Sequence, residues 1–95
     1  MSCVIKSWGT RATQRFAEEA KSKFSGLNKV LALRRLKMLD EAETLGDLVG
    51  LASIGLHKLS GDRKGQWAIS AGGRWRIIFE FHDGHAWNVE IVDYH

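Results

Sequence analysis

The sequence predicts an α+β fold in which two N-terminal helices pack on a small, mainly antiparallel sheet. Apolar residues first recur with the roughly four-residue spacing of helices and then, beyond Gly55, with the two-residue spacing of strands. Short turns containing glycine separate the later apolar runs, as in an antiparallel meander. With 95 residues, the chain is expected to form one domain over residues 1–95, in the order β-α-α-β-β-β-β.

The first half of the chain predicts one short strand followed by two helices. Residues 4–8 are a brief apolar run that ends at Gly9, and Thr10 can cap the helix that follows. The apolar positions of this helix are Ala12, Phe16, Ala20 and Phe24. A second helix is expected to run from residue 27 to Gly46, since glycine commonly ends helices. Its apolar stripe comprises Leu27, Val30, Leu31, Met38, Ala42 and Leu45, and it is widened by Leu33, Leu36 and Leu39.

The second half predicts four strands joined by short turns. A connector covers residues 48–55, and the expected strands cover residues 56–59, 66–70, 74–81 and 86–92. Gly72-Gly73 and Asp83-Gly84 are typical hairpin turns, and His82 and His85 are expected to be turn residues. Alternation puts Arg76 on the face of its strand that the helices leave open. The opposite, apolar face carries Trp75, Ile77, Phe79 and Phe81.

Composition excludes several classes of protein. A hydrophobic content of 44%, with four tryptophans and four phenylalanines, argues against disorder. The single cysteine, Cys3, cannot form an internal disulfide, which fits a reducing compartment. The chain has no apolar run of membrane-spanning length and does not begin like a signal peptide. We therefore expect a soluble, cytoplasmic protein.

The net charge of +3 conceals a strong segregation of charge. Eight basic residues lie within 11–37 and five within 57–76, whereas the acids cluster within 40–47 and 80–93. Such a polarised surface favours a polyanion as partner. Charge alone leaves RNA, DNA and an acidic protein open.

Asp93, Tyr94 and His95 place a carboxylate, a phenol and an imidazole directly after the last expected strand. Histidine can give or take a proton near neutral pH, so this tail is a candidate for acid–base chemistry. Strict alternation would send Tyr94 and His95 to opposite faces of the sheet. A shared site therefore requires the backbone to leave the strand after Val92.

Arg76 and His57 are further candidates. The guanidinium of an arginine fixed in mid-strand suits bidentate phosphate binding, and His57 can act as acid or base. Lys58, Arg63 and Lys64 follow His57 and can form a cationic rim around an anionic substrate. The alternatives are an Arg76 on a solvated face, paired with Glu80 or Glu90, and a turn made soluble by its charges.

These groups together predict cleavage of RNA without a metal. A base takes the 2′-hydroxyl proton, cations stabilise the pentacoordinate phosphate, and an acid protonates the leaving 5′-oxygen. DNA lacks the 2′-hydroxyl, so the reaction is specific for RNA. No two histidines have the spacing of a structural metal site, and phosphate-loop, dinucleotide and nucleophile-elbow motifs are absent. No cofactor is expected.

Four blocks of sequence resemble a known family. They are Ile5-Lys6-Ser7-Trp8, residues 56–65 (LHKLSGDRKG), residues 73–79 (GRWRIIF) and residues 89–95 (VEIVDYH). In this order and spacing they resemble the HigB branch of the RelE/ParE toxin superfamily, the plasmid maintenance killer proteins. The resemblance implies a RelE-like fold and a ribosome-dependent mRNA endonuclease, the toxin of a type II toxin–antitoxin pair, that inhibits translation.

The resemblance also implies roles and partners. Arg76 would stabilise the scissile phosphate, Tyr94 and His95 would form the catalytic tail, and His57 would lie at the edge of the site. The substrate-binding residues would be Lys58, Arg63, Arg74 and Asp93, with Asp93 orienting its neighbours. The partners would be a HigA-type helix-turn-helix antitoxin, the ribosomal A site with its 16S rRNA, and mRNA. Operator DNA would be bound only through the antitoxin, and no membrane is expected.

One residue departs from the pattern of the relatives. Ser60 stands where they commonly carry lysine, three residues after the histidine. The loss of this cation predicts weaker cleavage unless a neighbouring basic residue compensates. Two alternatives therefore stay open: a ParE-like inhibitor of DNA gyrase, and a weakened homologue that acts mainly through its antitoxin.

Overall fold

Helices in the first half and an antiparallel sheet in the second make up the regular structure, as the sequence predicts. The computed structural model describes residues 5–19, 24–49, 55–63 and 65–93. The helices are α1 (Arg11–Glu19), α2 (Lys29–Glu41) and α3 (Leu45–Val49), and the strands are β1 (His57–Lys58), β2 (Trp67–Ser70), β3 (Trp75–His82) and β4 (His85–Asp93). A 3₁₀ turn, Gly61–Arg63, lies between β1 and β2. None of the helices in these ranges is long and apolar enough to cross a bilayer.

The sheet has the order β1-β2-β3-β4, and each strand is antiparallel to its neighbour. The N-terminal segment lies along the outer edge of β4, where Ile5 and Trp8 form isolated parallel bridges with Ala86 and Val89. The strand predicted over residues 4–8 is thus reduced to two bridges, and residue 4 lies outside the described ranges. The sheet is therefore mainly antiparallel, as predicted.

One face of the sheet carries the main core. Phe16 of α1 and Leu36 of α2 pack in one cluster with Ile69, Ile77 and Phe79 of the sheet. These positions follow the predicted alternation of β3, so the prediction that both helices cover one face is confirmed. The opposite face has a smaller apolar cluster, which comprises Leu59, Ala68, Ile78 and Val92.

The second helix ends earlier than the sequence predicts. It stops at Glu41, and Gly46, the expected stop, lies inside α3. The cause is a capping box: Thr44 Oγ1 accepts from the Asp47 N–H at 3.3 Å, and Asp47 Oδ2 accepts from the Thr44 N–H at 3.1 Å. This box satisfies N–H groups that lack partners within a helix, so α3 begins as a separate element. It covers the end of the predicted second helix and the first two residues of the predicted connector.

Val30 does not belong to the apolar stripe that the sequence predicts for α2. Its side chain is 64% exposed, whereas Ala32, Leu36 and Leu39 are buried. The buried positions repeat at intervals of four and three residues, and Val30, two residues before Ala32, lies off that stripe. Ala20 of the predicted first helix falls outside the described residues.

A buried threonine fixes the end of β4 to α1. Thr13 is fully buried, and its Oγ1 accepts a hydrogen bond from the Ile91 N–H at 2.9 Å. The same hydroxyl lies 2.8 Å from Thr10 Oγ1. Among the described residues, the last backbone hydrogen bond between the N-terminal segment and β4 joins the Gly9 N–H to the Val89 carbonyl. The Thr13 side chain provides the next hydrogen bond along this edge of β4, at Ile91.

We expect Thr13→Val to destabilise the protein by about 1–3 kcal/mol, because the Ile91 N–H loses its acceptor in the interior. The free energy of unfolding in urea measures the change. Thr13→Ser is the matched control, since it keeps the hydroxyl and loses the methyl group instead. A valine variant as stable as the wild type would contradict the role of this hydrogen bond.

Candidate active site

Arg76 and His57 lie on the face of the sheet opposite the helices. Arg76 on β3 is opposite Ser70 on β2 and Val92 on β4, and His57 on β1 is opposite Ala68. Paired residues share a face, and Ala68 and Ser70 are two positions apart on one strand. Strands lie about 4.8 Å apart and rise about 3.4 Å per residue, so the Cα atoms of His57 and Arg76 are about 12 Å apart.

The guanidinium of Arg76 is anchored by one of its nitrogens. Nη1 donates to the Gly73 carbonyl at 2.7 Å and to the Trp75 carbonyl at 2.9 Å. Gly73 has a φ of 56°, a left-handed conformation that glycine adopts without strain. Arg76 Nε and Nη2 make no hydrogen bond to the described residues, so three N–H groups remain for an anion. Among the described residues Arg76 forms no ion pair with Glu80, whose Oε2 accepts from Asn88 Nδ2 at 2.9 Å.

His57 is exposed, and a backbone carbonyl orients its ring. Its Nδ1 lies 3.1 Å from the Gly55 carbonyl oxygen. This contact fits the tautomer in which Nδ1 carries the proton, which leaves Nε2 as a proton acceptor. The arrangement can therefore provide a base on the same face as the Arg76 cation.

The floor beside these polar groups is apolar. Ala68 and Ile78 are fully buried on this face, and Val92 packs on them next to Arg76. An apolar floor lowers the local dielectric constant, which strengthens the attraction between a cation and an anion above it. Sequence reasoning missed this cluster; the signal for it was Ile78, an apolar residue among the charged positions of its face.

Lys58 is not brought to the face of Arg76. It is opposite Trp67, and its Nζ lies 5.9 Å from the centre of the Trp67 ring. Alternation puts Lys58 and His57 on opposite sides of β1. Lys58 is therefore held by a cation–π contact at the edge of the helix-covered face.

Arg74 and Asp93, both predicted to bind substrate, are paired with each other. Arg74 Nε lies 3.1 Å from Asp93 Oδ1. The guanidinium also lies 5.9 Å from the centre of the Trp75 ring, and Trp75 is opposite Asp93 in the sheet. The pair thus joins the beginning of β3 to the end of β4.

Three predicted site groups lie outside the part of the chain that the structure describes: Tyr94, His95 and the side chain of Arg63. Their roles stay predictions. The backbone remains in β4 through Asp93, so it does not leave the strand after Val92.

His82 and His85 are strand residues rather than the turn residues that the sequence predicts: His82 ends β3, His85 begins β4, and the two pair across Asp83-Gly84. The His82 ring stacks on Trp87 with ring centres 5.0 Å apart, and Trp87 Nε1 donates to the His82 carbonyl at 3.2 Å. Within the described residues, no three His, Cys, Asp or Glu side chains are grouped to hold a metal ion.

Comparison with known proteins shows the family of this chain. A family model described as the RelE-like toxin of type II toxin–antitoxin system HigB matches residues 7–95. The chain belongs to the HigB-like toxin family. The predicted family and RelE-like fold are thereby confirmed, and the matched range includes His57, Arg76 and the last three residues.

A curated relative supports the assignment to the HigB-like family. Endoribonuclease HigB of Proteus vulgaris is 41% identical over 61 residues, which cover 64% of this chain and 65% of the relative. The alignment thus spans slightly less than two thirds of that relative's length.

Proposed function

We propose that this protein is the toxin of a type II toxin–antitoxin pair and acts as a ribosome-dependent mRNA endonuclease that inhibits translation. Membership of the HigB-like family and the name of the Proteus vulgaris relative support the proposal. The observation that carries it is the Arg76 guanidinium, anchored through Nη1 on an apolar floor and sharing its face with His57.

In the proposed reaction the 2′-oxygen of one nucleotide attacks the adjacent phosphorus, and the bond from phosphorus to the 5′-oxygen breaks. A base takes the proton from the 2′-hydroxyl, and an acid gives a proton to the 5′-oxygen. The products are a 2′,3′-cyclic phosphate and a 5′-hydroxyl end. The remaining N–H groups of Arg76 donate to the non-bridging oxygens, where negative charge increases in the transition state.

Proton transfer is assigned to the three other groups with suitable chemistry. His57 offers Nε2 at the edge of the site, and Tyr94 and His95 supply a phenol and an imidazole after β4. Lys58 and Arg63 complete the cationic rim in this proposal. For Lys58 this requires its side chain to leave the Trp67 ring, a contact worth about 0.5–1 kcal/mol at an exposed site, and to reach around β1 to the face of His57.

The proposed partners are a HigA-type antitoxin, the ribosomal A site with its 16S rRNA, and mRNA, with operator DNA contacted through the antitoxin. Exposed basic side chains on α1 and α2 support binding to an RNA backbone or an acidic protein surface. They are Arg11, Arg15, Lys29, Arg34 and Lys37.

Arg76→Ala is expected to lower the rate of mRNA cleavage in a translating extract about 10²–10³-fold, the usual effect of removing one transition-state donor. The cleavage rate of Arg76→Lys is expected to lie between those of the wild type and Arg76→Ala, because lysine keeps the positive charge but cannot donate two parallel hydrogen bonds to a phosphate. The measurement is the mapping of cut sites by primer extension over time.

Lys6→Ala is the matched control for Arg76→Ala. It removes one exposed positive charge where the N-terminal segment meets Ala86, about 20 Å along β4 from Val92. Equal losses in the two variants would contradict a role for Arg76 in the transition state. Intact mRNA with a loss of DNA gyrase activity would overturn the proposed function in favour of a ParE-like inhibitor.

A 2′-deoxy nucleotide at the cut site is expected to abolish cleavage at that position, because the attacking oxygen is missing. The comparison uses an mRNA with the single substitution and the same mRNA with the substitution two codons away. Cleavage at the deoxy position would exclude attack by the 2′-oxygen.

Ser60→Lys is expected to raise kcat/KM for mRNA cleavage about tenfold or more. Ser60 is exposed between β1 and the Gly61–Arg63 turn, and a charged hydrogen bond to phosphate contributes about 1.5–3 kcal/mol. Ser60→Gln controls for side-chain length without the charge. If Ser60→Lys is as stable as the wild type and its kcat/KM is no higher, then Ser60 does not limit the rate of mRNA cleavage.

A further inference from the structure

We propose that Ser70 contacts the substrate: its hydroxyl donates a hydrogen bond to a non-bridging oxygen of the phosphate that Arg76 binds. This inference rests on the proposed RNA cleavage and adds a third group to the site, between His57 and Arg76. Sequence reasoning did not single out Ser70, a small residue at the end of β2.

Ser70 stands between the two groups already placed on this face. It is opposite Arg76 in the sheet, so the two side chains share the face that the helices leave open. The Cα atom of Ser70 is about 5 Å from that of Arg76 and about 8 Å from that of His57. A methyl group on the Cα of Gly55 would lie 3.9 Å from Ser70 Cβ, and the Gly55 carbonyl is the group that orients the His57 ring. Ser70 therefore lies beside both the candidate cation and the segment that holds the candidate base.

The Ser70 hydroxyl has a proton to donate. Its Oγ accepts from the Gly72 N–H at 3.3 Å, and within the described part of the chain this is the only hydrogen bond of the side chain. A serine hydroxyl donates one hydrogen bond and can accept others at the same time. Since the Gly72 bond uses an acceptor position, the O–H is left to donate to a bound anion. Ser70 is only partly buried, so an anion on this face can reach it.

One hairpin orients both donors. The Gly72 N–H donates to Ser70 Oγ. The carbonyl of the next residue, Gly73, accepts from Arg76 Nη1 at 2.7 Å. This turn is packed closely on α2, because a Cβ atom at Gly72 would lie only 2.9 Å from Leu31 Cδ2. The hydroxyl and the guanidinium are thus fixed relative to each other before any substrate binds, which is the condition for a preorganised anion site.

The two donors suit the two non-bridging oxygens of one phosphate. Arg76 supplies the positive charge, and Ser70 supplies a neutral donor on a short side chain attached to the neighbouring strand. Negative charge on these oxygens increases when the 2′-oxygen adds to phosphorus, so both hydrogen bonds strengthen in the transition state. The apolar floor of Ala68 and Ile78 next to Ser70 strengthens them further, because it lowers the local dielectric constant.

The kinetic test measures kcat/KM for mRNA cleavage on purified, programmed ribosomes. We expect Ser70→Ala to lower kcat/KM about 10- to 100-fold, the effect of losing a hydrogen bond to a charged group. Ser70→Thr is expected to keep most of the activity, because the hydroxyl remains. Ser25→Ala is the matched control, since it removes an exposed hydroxyl in the turn before α2, and its kcat/KM is expected to equal that of the wild type. Full activity in Ser70→Ala would overturn the proposal.

A phosphorothioate at the cut separates contact with the phosphate from support of the hairpin. Each diastereomer replaces one non-bridging oxygen with sulfur, a weaker hydrogen-bond acceptor. We expect sulfur at the oxygen that Ser70 contacts to slow the wild type about tenfold and Ser70→Ala less than about twofold. Sulfur at the other oxygen is expected to slow both proteins equally. A loss of activity in Ser70→Ala with both sulfur effects unchanged would overturn the contact in favour of a structural role.

Binding of inorganic phosphate tests Ser70 without RNA cleavage. The ¹H–¹⁵N signal of Arg76 Nε is expected to shift with added phosphate until the site is saturated. We expect Ser70→Ala to raise the Kd about tenfold and Ser25→Ala to leave it unchanged. An equal Kd in the wild type and Ser70→Ala, or no saturable shift in the wild type, would overturn the role of Ser70 whether or not the protein cleaves RNA. A wild type that binds phosphate through Ser70 but cuts no mRNA would refute only the proposed function.

Discussion

The register of β3 between β2 and β4 is the constraint on which the site depends. Ile77 is fully buried among the helices, and Ile78 is fully buried in the cluster on the opposite face. Because side chains alternate, a slip of one residue would exchange these faces and turn Arg76 towards the helices. Burial on both sides of β3 therefore specifies which face carries the cation.

The sequence was sufficient to predict the fold and part of the site. Two periodicities and the hairpin glycines predicted the helices, the sheet and the exposed face of Arg76, because alternation is a local property. The pairing of Arg74 with Asp93 could not be predicted, since it depends on which residues of two strands stand opposite each other. The position of Lys58 could be predicted only in part. Alternation separates it from His57, but its cation–π contact depends on the pairing of Lys58 with Trp67 across two strands.

The errors in the helical half have a different origin. The stripe assigned to α2 was too broad, and a broad stripe does not show where one helix ends and another begins. The sequence did contain the boundary, as Thr44 followed three residues later by Asp47, a pattern that competes with continuation of the helix. Local side-chain hydrogen bonds thus outweighed apolar spacing at this position.

The bond between Thr13 and Ile91 spans 78 residues, and it has a consequence for the time at which the protein becomes active. Contacts of such large sequence separation slow folding, because the long loop between the partners must close before they meet. A chain still being synthesised cannot seat α1 against β4 until residue 91 has left the ribosomal exit tunnel. The order of synthesis therefore delays the packing of α1 on the sheet, although α1 is the first helix to be made.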